Sequence, residues 1–307
     1  EKVDRVPSAF WLHFRKEQFH GENAVKAHLD LFEKTDVDIL KVMNENKLTC
    51  SCPFGKNIDN WKHIRPLSLK DAFVADQLEI IKRVVDSVGD QAVVIATIHG
   101  IVASASHMSG EHYADFRKIL PAQLKEKPGI VADGLRIIAE GLAEFSRACL
   151  EAGAQGIYYA ALGGESYLIG DEDFDRYIKP NDLMVIEASK SPDAFNSLHI
   201  CKDHVSLKRY ADYHPQVVNW GVYENNPTLL EGKKYFPDAV LLGGLDDNPG
   251  SAIVSGTDKE IEEEVQSLLN QIGTRKFILG ADCTLPTDIN YERIRTAVEA
   301  TAKYTAE

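Results

Sequence analysis

No run of about 18 or more apolar residues occurs in the sequence, so no segment reads as a membrane-spanning helix. The chain also lacks a basic start followed by a long apolar stretch of the secretory type, and the expectation is a cytoplasmic protein. Positive charge is in deficit: 34 Lys and Arg against 47 Asp and Glu leave a net charge of -13 over 307 residues. Such a field repels phosphate polyanions and anionic membrane surfaces, which argues against nucleic acid or membrane as partner and points to small molecules or proteins. Cysteine is scarce and odd in number, five in all, with no Cys-x-x-Cys pair. A disulfide framework is excluded, and a reducing compartment that keeps cysteine for ligation or burial fits. No low-complexity tract, nameable repeat or Pro/Gly-rich linker divides the chain, so residues 1–307 read as one domain.

What is present is an alternation. Eight short β-rich segments stand out: Phe10–Phe14, Asp38–Met43, Ala92–Ile98, Gly156–Ala160, Phe195–Ile200, Val217–Val222, Ala239–Gly243 and Phe277–Gly280. Most precede a helical pattern. Asp71–Val88 repeats apolar residues at helical intervals and stops at Gly89; Ile130–Leu150 does so before Gly153; Lys259–Ile272 opens with acidic residues that suit a helix N-terminus; Asn290–Tyr304 closes the set. Alternating strands and helices imply parallel strands with crossover helices, and eight units imply an α/β fold of the (β/α)8 TIM barrel type. Two connections are long, after strands 2 and 3: Asn44–Leu69, with Cys50 and Cys52, and His99–Pro128, with a short helix near Tyr113–Leu120. They read as lids or binding loops.

Chemistry concentrates at Ser197-Leu198-His199-Ile200-Cys201. Side chains two apart on a strand share a face, so His199 and Cys201 can grip one ion, and imidazole with thiolate favours zinc. A catalytic zinc takes three protein ligands and keeps one position exchangeable; Cys283, just past strand 8, supplies the third. A lone His-x-Cys also occurs as plain core packing, and a free cysteine is often a small buried hydrophobe. The barrel adds to the metal reading, because active sites in this architecture lie at the C-terminal strand ends. Glu224, after strand 6, reaches the same rim either as a fourth ligand or as a cap of the following helix. His13, Asn44, His99, Tyr158, Tyr159 and Asp246 are also carried toward the mouth, and Gly243-Gly244-Leu245-Asp246 would aim a carboxylate at it.

Trp11-Leu12-His13-Phe14, Gly243-Gly244-Leu245-Asp246 and Ile278 to Pro286, followed by Asn290-Tyr291-Glu292-Arg293-Ile294, resemble the uroporphyrinogen decarboxylase superfamily over nearly the whole chain. Within it, His199-Ile200-Cys201 with Cys283 is similar to the zinc motif of the branch that holds methylcobalamin:coenzyme M and related corrinoid methyltransferases. The resemblance implies a zinc-dependent methyltransferase working on a corrinoid (cobalamin) presented by a partner protein and on a small thiol or methylated substrate. It casts Glu224, Asn44 and Asp246 as catalytic and His13, His99, Tyr158 and Tyr159 as substrate-binding. The alternative is a metal-free decarboxylase or lyase on the same barrel. Leu12-His13-Phe14-Arg15-Lys16-Glu17 departs from the decarboxylase's arginine-rich first loop, and Asn44 stands where its catalytic aspartate belongs. Lys202-Asp203-His204 follows Cys201 where that methyltransferase branch carries a glycine. The chain has no Asp-x-His-x-x-Gly cobalamin motif, so the corrinoid would come with the partner.

Overall fold

A computed structural model describes residues 5–304. Eight strands, all parallel, are β1 (Ser8–Ala9), β2 (Ile39–Val42), β3 (Val93–His99), β4 (Gly156–Ala161), β5 (Ser197–Ile200), β6 (Val217–Trp220), β7 (Val240–Leu245) and β8 (Phe277–Ala281). Their hydrogen-bonded order, β1-β8-β7-β6-β5-β4-β3-β2, leaves one seam between β1 and β2. Asp38 bridges it. Its N–H donates to the Ser8 carbonyl (3.1 Å), and its carboxylate accepts from the Ser8 N–H and hydroxyl, each at 2.8 Å. With helices between the strands the result is a nearly closed (β/α)8 barrel, as the alternation predicts.

The main helices are α1 (Gly21–Thr35), α2 (Ala72–Val88), α3 (Ile101–Ser109), α4 (Tyr113–Glu126), α5 (Pro128–Glu151), α6 (Lys179–Ala188), α7 (Leu229–Lys233), α8 (Asp258–Ile272) and α9 (Tyr291–Lys303). Their ends follow from the residues there. Thr257 caps α8, its hydroxyl accepting the Glu260 N–H while Glu260 reaches back to Thr257, and Asn290 caps α9 by accepting the Glu292 N–H. The apolar stripe of α2, Val74, Ile80, Ile81, Val84 and Val88, is buried. Each such side chain contributes about 1.5–3 kcal/mol through area removed from water.

Three differences from the sequence reading have physical causes. The first strand pairs with β8 only at Ser8 and Ala9. Phe10, Trp11, Leu12 and Phe14 are buried, yet only Leu12 makes a further bridge, to Leu285. Apolarity there reports burial at the C-terminal end of the strands rather than a ladder. The connection after β3 is mostly helical, because α3 is buried along nearly every position and so shows no polar face to set a period. Strand β7 runs on past Gly243 through Gly244 to Leu245, with Gly243 and Gly244 at φ of 133° and 104°, a conformation glycine takes without a Cβ clash.

Candidate metal centre

His199 is the third residue of β5, and Cys201 follows the strand's end, held alongside β4 by its N–H donating to the Ala161 carbonyl at 3.1 Å. Cys283 lies two residues beyond β8. The fold brings the three together. Their ligand atoms all lie within 4.8 Å of one another, and Cys283 Sγ is 3.5 Å from His199 Nε2. After Cys201 the backbone turns through Lys202 at φ 89° and His204 at φ 52°. That left-handed turn is the conformation glycine favours, and here lysine adopts it.

Asn219 faces His199 across the β5–β6 register. Its Nδ2 donates to the Leu242 carbonyl (2.9 Å) and the Ala281 carbonyl (3.3 Å), which turns its Oδ1 to His199 Nδ1 at 2.5 Å. The imidazole proton is thus drawn to Nδ1, and the Nε2 lone pair is directed at the sulfurs, the tautomer a metal-binding histidine needs. Tyr158 donates its hydroxyl to the same Asn219 oxygen (3.1 Å) and stacks on His199 with centroids 5.3 Å apart. Asn219 escaped the sequence reading, although counting strand register from His199 to β6 would have found it.

The two thiols act on each other in opposite senses. Cys201 is pushed up by its hydrogen bond with Cys283 and by burial, while Cys283 is pushed down by that same bond and by His199. Two carboxyl groups lie near Cys283. Burial and then Cys283 push the Asp247 carboxyl up to about 6, and burial pushes Asp282 up to about 8. Asp282 is buried; its Oδ2 accepts the Tyr223 N–H (2.6 Å) and its Oδ1 has no partner. Two thiols, a pre-oriented imidazole and surrounding carboxylates make a donor set that fits a soft divalent cation.

The other candidates divide. Glu224 sits half-buried in the turn after β6, outside the 4.8 Å group yet close enough for its charge to act on Cys201. Asp246 does not aim at the sulfurs: its Oδ1 accepts the Asn248 N–H (2.9 Å) and Nδ2 (2.7 Å), closing its own turn. Asp247, one residue on, is the carboxylate that senses Cys283, because successive residues leave an extended chain on opposite sides. The same parity separates the tyrosines. Tyr158 lines the interior with Trp11 and His199, whereas Tyr159 points out between barrel and helices, its hydroxyl donating to Asp182 and accepting the Ile101 N–H at 3.1 Å. Asn44 is spent on its turn, its Oδ1 accepting the Asn46 N–H (3.1 Å), and its carbonyl accepts from His99 Nε2 (2.8 Å). Burial holds His99 down at about 4, hence neutral, 5.0 Å from the His107 ring. His13 is exposed and pairs with Glu45 at 2.9 Å. Cys50 and Cys52 lie in the loop after β2, outside the cluster of three.

The family model described as uroporphyrinogen decarboxylase (URO-D) matches residues 51–304. A methylcobamide:CoM methyltransferase, MtbA, of Methanosarcina acetivorans is 23% identical over 215 residues, 70% of this chain and 60% of that protein. A uroporphyrinogen decarboxylase of Prochlorococcus marinus is 23% identical over 231 residues, 73% of this chain and 62% of that one. In both cases the match therefore spans under two thirds of the curated relative. Among solved structures, a methyltransferase from Methanosarcina mazei superposes with a TM-score of 0.74 at 18% identity, covering 99% of this chain and 95% of that one, which shows a shared fold.

Proposed function

The chain belongs to the uroporphyrinogen decarboxylase (URO-D) family, and within it we propose a zinc-dependent methyltransferase. It would act as one domain, in the cytoplasm, and move a methyl group between a corrinoid held by a partner protein and a small thiol or an O- or N-methylated substrate. The observation that carries this reading is the convergence of His199, Cys201 and Cys283 at one rim of the barrel. The methyltransferase relative supplies the reaction type.

Bound there, zinc would supply Lewis acidity, so that a substrate thiol binds as thiolate near neutral pH, where free thiol is only a few per cent ionised. The chain's own groups prepare the site. Cys201 and Cys283 give up their protons as ligands. Asn219 fixes the His199 ring and tautomer. Glu224, on a turn rather than a strand, would be the residue to fill the fourth position at rest. Asn44 and His99, hydrogen-bonded to each other just past β2 and at the end of β3, would line the substrate side of the mouth, and Tyr158 would form its floor. A corrinoid protein would dock on the face that carries the C-terminal strand ends. Metal-free decarboxylation finds less support, since the neutral Asn44 amide is bound into its own turn.

Zinc analysis of the purified chain tests the reading. About one zinc per chain is expected, lost in His199→Ala and in Cys283→Ser. A full zinc complement in both variants would overturn it.

A further inference from the structure

The centre has a charge to balance. Zinc with two thiolates and a neutral imidazole carries no net charge, so a fourth ligand arriving as an anion leaves one negative charge in a partly enclosed mouth. The neighbouring carboxylates Glu224 and Asp247 already oppose it. Inside the barrel the opposite sign is supplied from β2. Lys41 is 4% exposed and pairs with no carboxylate among the described residues. Its Nζ lies 3.9 Å from the Tyr158 ring centroid and 4.5 Å from that of Trp11. Tyr158 in turn stacks on His199, so the ammonium stands one aromatic ring away from a ligand.

Holding an unpaired ammonium out of water is unfavourable unless other groups compensate it. The two ring faces return part of that cost through cation–π attraction. The remaining compensation comes from negative charge nearby: Cys283, Glu45 and Cys201 act on Lys41 in that order, against the burial that lowers it to about 7. Glu45 is shared with His13 and the Phe14 N–H, whereas the aromatic ring beneath Lys41 leads directly to His199. Lys202, the other cation that senses the sulfurs, packs over the Tyr113 ring at 5.7 Å and is partly exposed at the rim, where solvent screens it.

We propose that Lys41 is a positioning residue of this centre. From its seat on Tyr158 and Trp11, its charge offsets that of the fourth ligand and selects a substrate that binds the ion as an anion, a thiolate, over a neutral ether or amine. The inference rests on the metal reading above and deepens it, narrowing the substrate to a thiol.

The full chain loaded with cobalt(II) provides the test, since each thiolate ligand adds charge-transfer absorbance. Titration with 2-mercaptoethanol, an anionic ligand once bound, is compared with imidazole, a neutral one. In Lys41→Met cobalt should bind with unchanged stoichiometry. Its Kd for 2-mercaptoethanol should weaken by about tenfold or more, the low end of what one buried opposite charge does for an ionised group. Its Kd for imidazole should stay unchanged. Loosened packing alone would weaken both ligands together. Removing a buried unpaired charge is seldom destabilising, and Lys41→Gln, closer in length and polarity, repeats the measurement should Lys41→Met not fold. Equal thiol affinity in wild type and a cobalt-loaded Lys41 variant overturns the assignment and leaves the metal reading standing. Failure of the wild type to take up cobalt or zinc instead overturns the metal reading.

Discussion

Asn219 Oδ1 lies 2.5 Å from His199 Nδ1, and the Asn219 amide is itself held by the carbonyls of Leu242 and Ala281. Strands β7 and β8 thus set the orientation of an imidazole on β5 through one side chain on β6. Such outer partners are worth about 10- to 100-fold in metal affinity. Asn219→Ala should therefore weaken zinc binding by roughly that factor, read by competition with a chromogenic chelator. It should also cost about 1–3 kcal/mol, because two buried carbonyls lose their donor. Unchanged zinc affinity would mean that His199 is held by packing alone.

Gly243 is bound up with the same amide. A Cβ built there would come within 2.9 Å of Asn219 Nδ2, and its φ of 133° strains any side chain. Gly250 has a positive φ of 96° but nothing within 4 Å of an added Cβ, so it reports the strain alone. Gly243→Ala should destabilise by about 1–3 kcal/mol and loosen zinc, while Gly250→Ala lowers stability only. Denaturant unfolding and zinc competition on the two variants separate the effects.

Backbone order and the His199–Cys201 pair were legible because each leaves a local mark, an apolar run, a helix stop or a His-x-Cys spacing, whereas Cys283 joins the pair only through the placing of strand ends at one rim. Side-chain parity at a strand's end was not. Whether Asp246 or Asp247 faces Cys283, and Tyr158 or Tyr159 faces the interior, depends on where each strand stops, and a shift of one residue exchanges the answers. Lys41, a single charge in the apolar segment Asp38–Met43, carries no local mark of a role. Its meaning comes from Trp11 and Tyr158, residues far away in sequence that barrel closure stacks beneath it.

Buried imidazoles set an acid limit on the fold. His28 shares its Nδ1 hydrogen with the Ala24 carbonyl (2.7 Å) and accepts the Met43 N–H at Nε2 (2.8 Å). Burial lowers it to about 4, and lowers His99 to about 4 and His107 to about 3. Unfolding returns each to about 6.5 and lets it take a proton. The stability of their neutral forms is therefore fully present above pH of about 6.5 and lost as pH falls toward about 4, with His28 accounting for up to about 3 kcal/mol. Metal-free protein should show falling stability across that window in pH-resolved denaturation, and His28→Gln should flatten the slope. An equally steep fall in that variant would assign the acid limit to other groups.

The two adjacent tyrosines offer a paired test of which face of β4 serves the site. Tyr159 and Tyr213 both donate to the buried Asp182 carboxylate, whose pKa burial pushes up to about 7. Tyr159→Phe leaves that carboxylate short of a donor, at a cost of about 1–3 kcal/mol, on the helix-facing side of the barrel. Zinc content and zinc affinity should not move. Tyr158→Phe removes only one donor from Asn219 Oδ1 and keeps the ring that stacks on His199 and carries Lys41. It should weaken zinc by less than Asn219→Ala does, with little loss of stability. If Tyr159→Phe instead strips zinc while Tyr158→Phe does not, the parity of β4 is reversed, and with it the floor assigned to the centre.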